Sequence, residues 1–178
     1  MKSQSLLLIP IYLLLGIIVC CSKETLKEED NVSSELNKAI AIQVLKNTNV
    51  LRKEKGLTEL SQNEEMDKLA TYHSENMVSE GFFDHVDTQG NSPSSRADLF
   101  GYKWSTIGEN IAKIPWFENV ISCGDTRSKD AIAQCVVDGW KNSPGHYRNI
   151  IGDYTELGVG VVFSQDSMVY FTQVFRTP

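Results

Sequence analysis

The sequence predicts an α+β domain, with helices first and an antiparallel hairpin last. Three observations predict it. Apolar residues recur at helical spacing over residues 36–77. They recur at every second position over residues 157–163 and again over 168–174. The two alternating runs are separated only by Ser164-Gln165-Asp166-Ser167, a turn length that joins strands antiparallel. Helices followed by a hairpin give the α+β class. The chain has 178 residues, enough for one ordinary domain. With 41% apolar and 22% charged residues, its composition is globular rather than disordered.

The N-terminus comes before that domain. Met1-Lys2 supplies one positive charge, and Leu6 to Val19 is a 14-residue apolar run broken only by Pro10, Tyr12 and Gly16. As a helix it would rise about 21 Å, short of the roughly 30 Å hydrocarbon core. A signal peptide over residues 1–20 is therefore expected rather than a membrane span. Cys20-Cys21 at the end of the run resembles a bacterial lipoprotein signal, whose cysteine is acylated. Cys21 is the expected lipidation site, because Cys20 is a smaller preceding residue than Val19. Cys20 is the alternative site, and an ordinary secretory peptide is the alternative leader. An acylated cysteine would hold the exported chain at a membrane surface. Residues 21–34 are charged and lack apolar periodicity, so they are expected as a disordered tether ahead of a domain at 35–178.

Within the domain, Leu36, Ile40, Val44 and Leu51 mark a helix from Glu35 to Lys55, stopped by Gly56. Ser61 to Glu64 reads as a capping box with Ser61 as N-cap. The next helix carries Met66, Leu69, Ala70, His73 and Met77 on one stripe and ends at Gly81. His73 on that stripe is expected as a buried, satisfied histidine. Phe82 to His85 follows as a loop. Ser92-Pro93 opens a short helix with Pro at its first position, and Gly101 closes it. Trp104 to Ile111 is expected to be extended, and residues 115–127 to form a loop, with Trp116 and Phe117 either in the core or on an exposed contact patch. Ser128 to Asn142 is a further helix with Ile132, Val136 and Trp140 on one face. Ser143-Pro144 reads as a turn or N-cap. Leu157, Val159, Val161 and Phe163 alternate on the first hairpin strand, and Met168, Tyr170, Thr172 and Val174 on the second.

Several function classes are excluded or disfavoured. Basic residues are outnumbered 23 to 17 and form no block, so no nucleic-acid footprint is present. No phosphate loop, dinucleotide fingerprint or Gly-x-Ser-x-Gly elbow occurs. If Cys20 leaves with the leader and Cys21 carries lipid, Cys123 and Cys135 remain, and in an oxidising compartment they can pair. Their separation would make the disulfide worth roughly 3 kcal/mol by loop entropy. Two free thiols are the alternative.

The motifs resemble those of the CAP superfamily, the SCP-like, cysteine-rich secretory, antigen five and pathogenesis-related group, in its short bacterial extracellular form. Matching fragments run in order: Asn49 to Leu60 (NVLRKEKGLTEL), Leu69 to Met77 (LATYHSENM), Gly81 to His85 (GFFDH), Arg96 to Tyr102 (RADLFGY), Gly108 to Ala112 (GENIA), Gly139 to Ile151 (GWKNSPGHYRNII), Leu157 to Phe163 (LGVGVVF) and Tyr170 to Phe175 (YFTQVF). The resemblance implies a three-layer α-β-α sandwich around a small antiparallel sheet. It also implies a cleft with two histidines and two glutamates that can bind zinc or another divalent cation. Carried over residue by residue, His85, Glu109 and His146 match, while Ser143 stands where the second glutamate is expected. Two imidazoles and a carboxylate are a plausible zinc set with an open position. A hydrogen-bonded cluster without metal is the alternative.

Three functions follow as expectations. The first is a surface-anchored, non-catalytic binding or interaction protein, with a protein, sterol or lipid as ligand. The second is a zinc-dependent, peptidase-like hydrolase. The absent second carboxylate argues against it, because Glu109 cannot readily be both ligand and base. The third is a sterol or fatty-acid binding protein.

Overall fold

In the computed structural model, backbone is described for residues 18–178 and side chains from Ser33 onward. The leader expected over residues 1–20 lies outside the described residues, apart from the backbone of Ile18 to Cys20. No side chain is described for Cys20 or Cys21. Among the described residues, no helix is long and apolar enough to cross a membrane. The chain divides into two compact units, one up to Glu35 and one over Leu36–Pro178. Of the first unit, the described part is helical backbone. The second holds the site.

Nine elements run in order: α1 (Ile18–Glu54), β1 (Ser61–Gln62), α2 (Glu64–Glu80), α3 (Pro93–Leu99), β2 (Thr106–Pro115), α4 (Lys129–Lys141), α5 (Pro144–Ile150), β3 (Glu156–Phe163) and β4 (Met168–Thr177). The sheet order is β1-β3-β4-β2, with β1 parallel to β3 and the other pairs antiparallel. Helices cover both faces, which makes the three-layer α-β-α sandwich. On one side Ile40, Val44 and Leu51 of α1, Ile132, Val136 and Trp140 of α4 and Ile150 of α5 pack on Leu157, Val159, Val161, Phe171 and Phe175. On the other, Met66, Leu69 and Ala70 of α2 and Ala97 of α3 pack with Val174.

The hairpin alternation therefore sorts onto two faces. Leu157, Val159 and Val161 face α1 and α4. Thr172 and Val174 lie on the α2 face, opposite Gly160 and Gly158. Those glycines are required there: a Cβ on Gly158 would stand 2.0 Å from the Met66 carbonyl carbon, and one on Gly160 2.3 Å from that of Ala70. The α2 backbone lies directly on β3. Ser74 Oγ and Thr172 Oγ1, 2.8 Å apart, then tie α2 to β4. Strand β4 is buried on both faces, so VYFTQVF reads almost as a continuous apolar run.

Three local expectations are corrected. The described backbone is already helical from Ile18, so Ser22–Ser34 is helical rather than a disordered tether. No Gly or Pro interrupts that stretch, and its Lys, Glu and Leu residues favour helix without needing an apolar stripe. The N-cap of α2 is Asn63, whose side chain accepts from the Glu65 and Met66 amides at 3.0 and 3.1 Å. Ser61 lies two residues before that cap, in β1, where its amide donates to Thr155 O alongside β3. Residues 144–150 form the additional helix α5, with Ser143 at its N-cap position and no side-chain capping bond. Pro144 occupies a first-turn position, where its missing N–H costs little.

Asn49 and Arg52 act as fasteners. The Asn49 amide bonds both Leu60 N and Leu60 O, at 2.9 and 3.0 Å. Arg52 is buried and donates to Thr58 O, Ile150 O, Gly152 O and Tyr154 O, holding two loops against α1.

Candidate functional site

The site is built on β2, an edge strand. Because strand side chains alternate, neighbours Glu109 and Asn110 serve opposite faces. Glu109 points to the α2–α3 side, where its side chain is only 2% exposed. Its Oε2 accepts from Arg96 Nη2 at 2.5 Å, and its Oε1 from His85 Nδ1 at 2.8 Å. His73 Nε2 stands 3.7 Å from the same Oε1. Arg96 also donates through Nη1 to His85 O and Asn91 O, both at 2.8 Å. One guanidinium thus holds the carboxylate and the loop that carries His85.

The three imidazoles sit in different environments. His85 is 45% exposed, and its hydrogen bond to Glu109 raises its pKa above the usual histidine value, against some opposing burial. His73 is fully buried, and burial lowers its pKa. Its Nε2 donates to Asp84 O at 2.9 Å, while Nδ1 has no hydrogen-bond partner. His146, half-buried on α5, is lowered first by burial and then by the nearby charge of His85.

Asn110 organises the other face. It donates to His146 O at 3.1 Å and Gln173 Oε1 at 3.2 Å, and accepts from Asn149 Nδ2 at 2.8 Å. Gln173 continues the network to Thr48 Oγ1 on α1. Asn149 also donates to Glu109 O at 2.9 Å, and Trp140 Nε1 to Ile111 O at 3.1 Å. Two carbonyls of the edge strand are thereby occupied by side chains from α4 and α5, which protects the edge from pairing. Gly108 gives room to Tyr154, whose hydroxyl would lie 2.4 Å from an added Cβ.

The expected ligand set is not assembled in this arrangement. Both Glu109 oxygens are engaged, and a buried cation, Arg96, is already on one of them. Hydrogen-bonding side-chain contact joins Glu109 to His85 but not to His146, which meets the network through its backbone carbonyl. Among the described residues, no group of three or more His, Cys, Asp or Glu side chains is placed to hold a metal ion. The residues as they stand do not fit a three-ligand metal centre.

Cys123 and Cys135 are joined by a disulfide with Cα atoms 5.4 Å apart, pinning the 116–128 loop to α4. In that loop Trp116 packs on Phe163 with ring centroids 5.1 Å apart, whereas Phe117 and Ile121 are exposed. A separate cleft of about 520 Å³ opens beside Arg52, Glu59, Asp153 and Tyr154 and shares no lining residue with the Glu109 cluster. Its walls mix charged with apolar groups, and Arg52 is spent on backbone carbonyls.

A family model described as "CAP: Cysteine-rich secretory protein family" matches residues 45–175. The chain belongs to this family. It is similar to the uncharacterised protein YkwD of Bacillus subtilis, 34% identical over 122 residues, covering 68% of this chain and 42% of that protein. It is also similar to the uncharacterised membrane protein YlbC of the same organism, 33% identical over 134 residues, covering 75% and 33%. The chain spans less than half the length of these curated relatives. Among solved structures, an extracellular SCP-domain protein from Bacillus anthracis superposes with a TM-score of 0.65 at 24% identity, covering 82% of this chain and 43% of that one. An outer surface protein from Borrelia burgdorferi superposes at 0.61 and 19% identity, covering 75% and 88%. At these identities the likeness establishes the CAP fold alone.

His85, Glu109 and His146 are legible in the sequence as site residues, whereas Arg96, Asn110 and Asn149 are not, and His73 reads there only as a core residue. All four lie inside the quoted CAP motifs. A buried arginine needs an acidic partner, and that would have been the signal for Arg96.

Proposed function

We propose that this CAP-domain chain is an exported, surface-anchored protein that acts by binding a partner rather than by catalysis. The observation that carries the reading is the state of Glu109. Both oxygens of the cleft carboxylate are held by Arg96 and His85, so it is not free to take a proton from water or substrate. A zinc-dependent hydrolase would need that carboxylate released. A sterol or fatty-acid carrier would need an apolar groove, whereas the cleft beside Arg52 also carries Arg52, Glu59 and Asp153 in its walls. The leader with its acylatable Cys21 supports anchoring, and solved structures of similar fold include an extracellular SCP-domain protein and an outer surface protein.

Two measurements test the reading. Purified full-length protein incubated with a peptide library is expected to show no chelator-sensitive turnover. Turnover abolished by His85→Ala, a half-exposed position whose loss leaves the core intact, would sink it. Metabolic labelling with a fatty acid is expected to mark the protein and to fail in Cys21→Ala. Unlabelled wild-type protein in the culture medium would refute the anchor.

A further inference from the structure

We infer that Arg96 fills the cation position of this cleft, so that the protein's own guanidinium closes Glu109 to divalent metals. A metal site aims lone pairs at a cation, and Zn²⁺ is bound by neutral imidazole nitrogens and carboxylate oxygens. Around Glu109 the polarity is reversed. A carboxylate can only accept, so the His85 Nδ1 that meets Oε1 at 2.8 Å carries its proton there. Arg96 Nη2 meets Oε2 at 2.5 Å and has no lone pair to offer. A carbonyl also only accepts, so His73 Nε2, which is 2.9 Å from Asp84 O and 3.7 Å from Oε1, is protonated as well. Two N–H donors thus bond the anion, and a third protonated nitrogen stands 3.7 Å from it.

Arg96 is not a loose surface cation that a metal could displace. Its side chain is 1% exposed, and two further bonds through Nη1, to His85 O and Asn91 O, hold it in place. Removing it would leave Glu109 as a buried anion without its main counter-charge. The imidazoles of His85 and His146 remain, but two ligands fall short of the three that a catalytic zinc ordinarily takes from the protein.

The inference rests on this donor geometry and not on the absence of catalysis, since a binding protein can hold zinc. The test is a calorimetric titration of zinc into purified full-length protein, with His85→Ala and Arg96→Met alongside. Wild type is expected to give no zinc site that depends on His85. A stoichiometric site lost in His85→Ala would overturn the inference, whether or not the Arg96 variant folds. Arg96→Met with a native circular dichroism spectrum is expected to gain a stoichiometric zinc site that wild type lacks, and to lose it on adding His85→Ala. A folded Arg96→Met that gains nothing would equally overturn it. If Arg96→Met fails to fold, Arg96→Lys keeps the positive charge and is expected to remain zinc-free. A His85-dependent site in that variant would count against the inference. The peptide-turnover assay reads a different quantity, so the two readings fail separately.

Discussion

Replacing Glu109 by glutamine removes one charge and almost no volume, which isolates the electrostatics of the cluster. In the wild type Glu109 and Arg96 are 2% and 1% exposed. With glutamine, Arg96 keeps its two carbonyl partners and can still meet the amide oxygen, but it loses its counter-ion. The amide nitrogen then faces His85 Nδ1–H, donor against donor. Breaking one side of a buried ion pair costs about 3–5 kcal/mol. The retained amide oxygen puts Glu109→Gln at the low end, about 3 kcal/mol, a large fraction of the 5–15 kcal/mol that a domain ordinarily has. Urea denaturation followed by far-ultraviolet circular dichroism at neutral pH measures it. Coupling is the sharper readout. Arg96→Met combined with Glu109→Leu should cost clearly less than the sum of the two single changes, because neither charge is left stranded. A Glu109→Gln loss below about 1 kcal/mol, or strict additivity in the cycle, would refute the account of the cluster as a buried charge pair.

Other expectations follow from the same geometry. Gly160→Ala places a Cβ 2.3 Å from backbone that must stay roughly 3.5 Å away, so α2 has to retreat by about 1 Å, and a loss of at least about 2 kcal/mol is expected by denaturation. Gly139→Ala, in α4 with nothing within 4 Å of the new Cβ, should instead stabilise by about 0.5–1 kcal/mol; the same sign for both would discredit the close-approach argument. His85 has its folded pKa raised by Glu109, so its stabilising contribution is complete below the unfolded value near 6.5 and fades as pH rises through the folded value. The stability gap between wild type and His85→Ala should therefore narrow as pH rises across that window, and a gap that widens would reverse the assigned sign. Replacing Cys123 and Cys135 with alanine together should cost about 3 kcal/mol from the 12-residue separation, and non-reducing peptide mapping of wild type should recover the linked pair. Free thiols at both positions would rule out the bridge.

Much of this protein was determined by its sequence alone, because the relevant physics is local. The stripe Met66, Leu69, Ala70, His73, Met77 specifies the buried face of α2, and Gly81 and Gly56 take the left-handed conformation that ends or follows their helices. Ser92-Pro93 specifies the start of α3, and the alternation on either side of residues 164–167 specifies the hairpin. The ordered motifs carried the family and, with it, the sandwich. What only the tertiary structure decided lies in contacts between distant segments. Whether Ser61 or Asn63 caps α2 depends on a strand arriving from residue 156. The helical state of residues 144–150 went unread because Pro-Gly looks like a turn until the segment is seen packed on β2. Periodicity placed His73 in the core, but only the fold brings it within 3.7 Å of Glu109. The chemistry of the cleft turns on Arg96, 13 residues from Glu109 and on another element. Residue types can propose a metal set; the direction in which each N–H points is fixed only when helix, loop and edge strand meet.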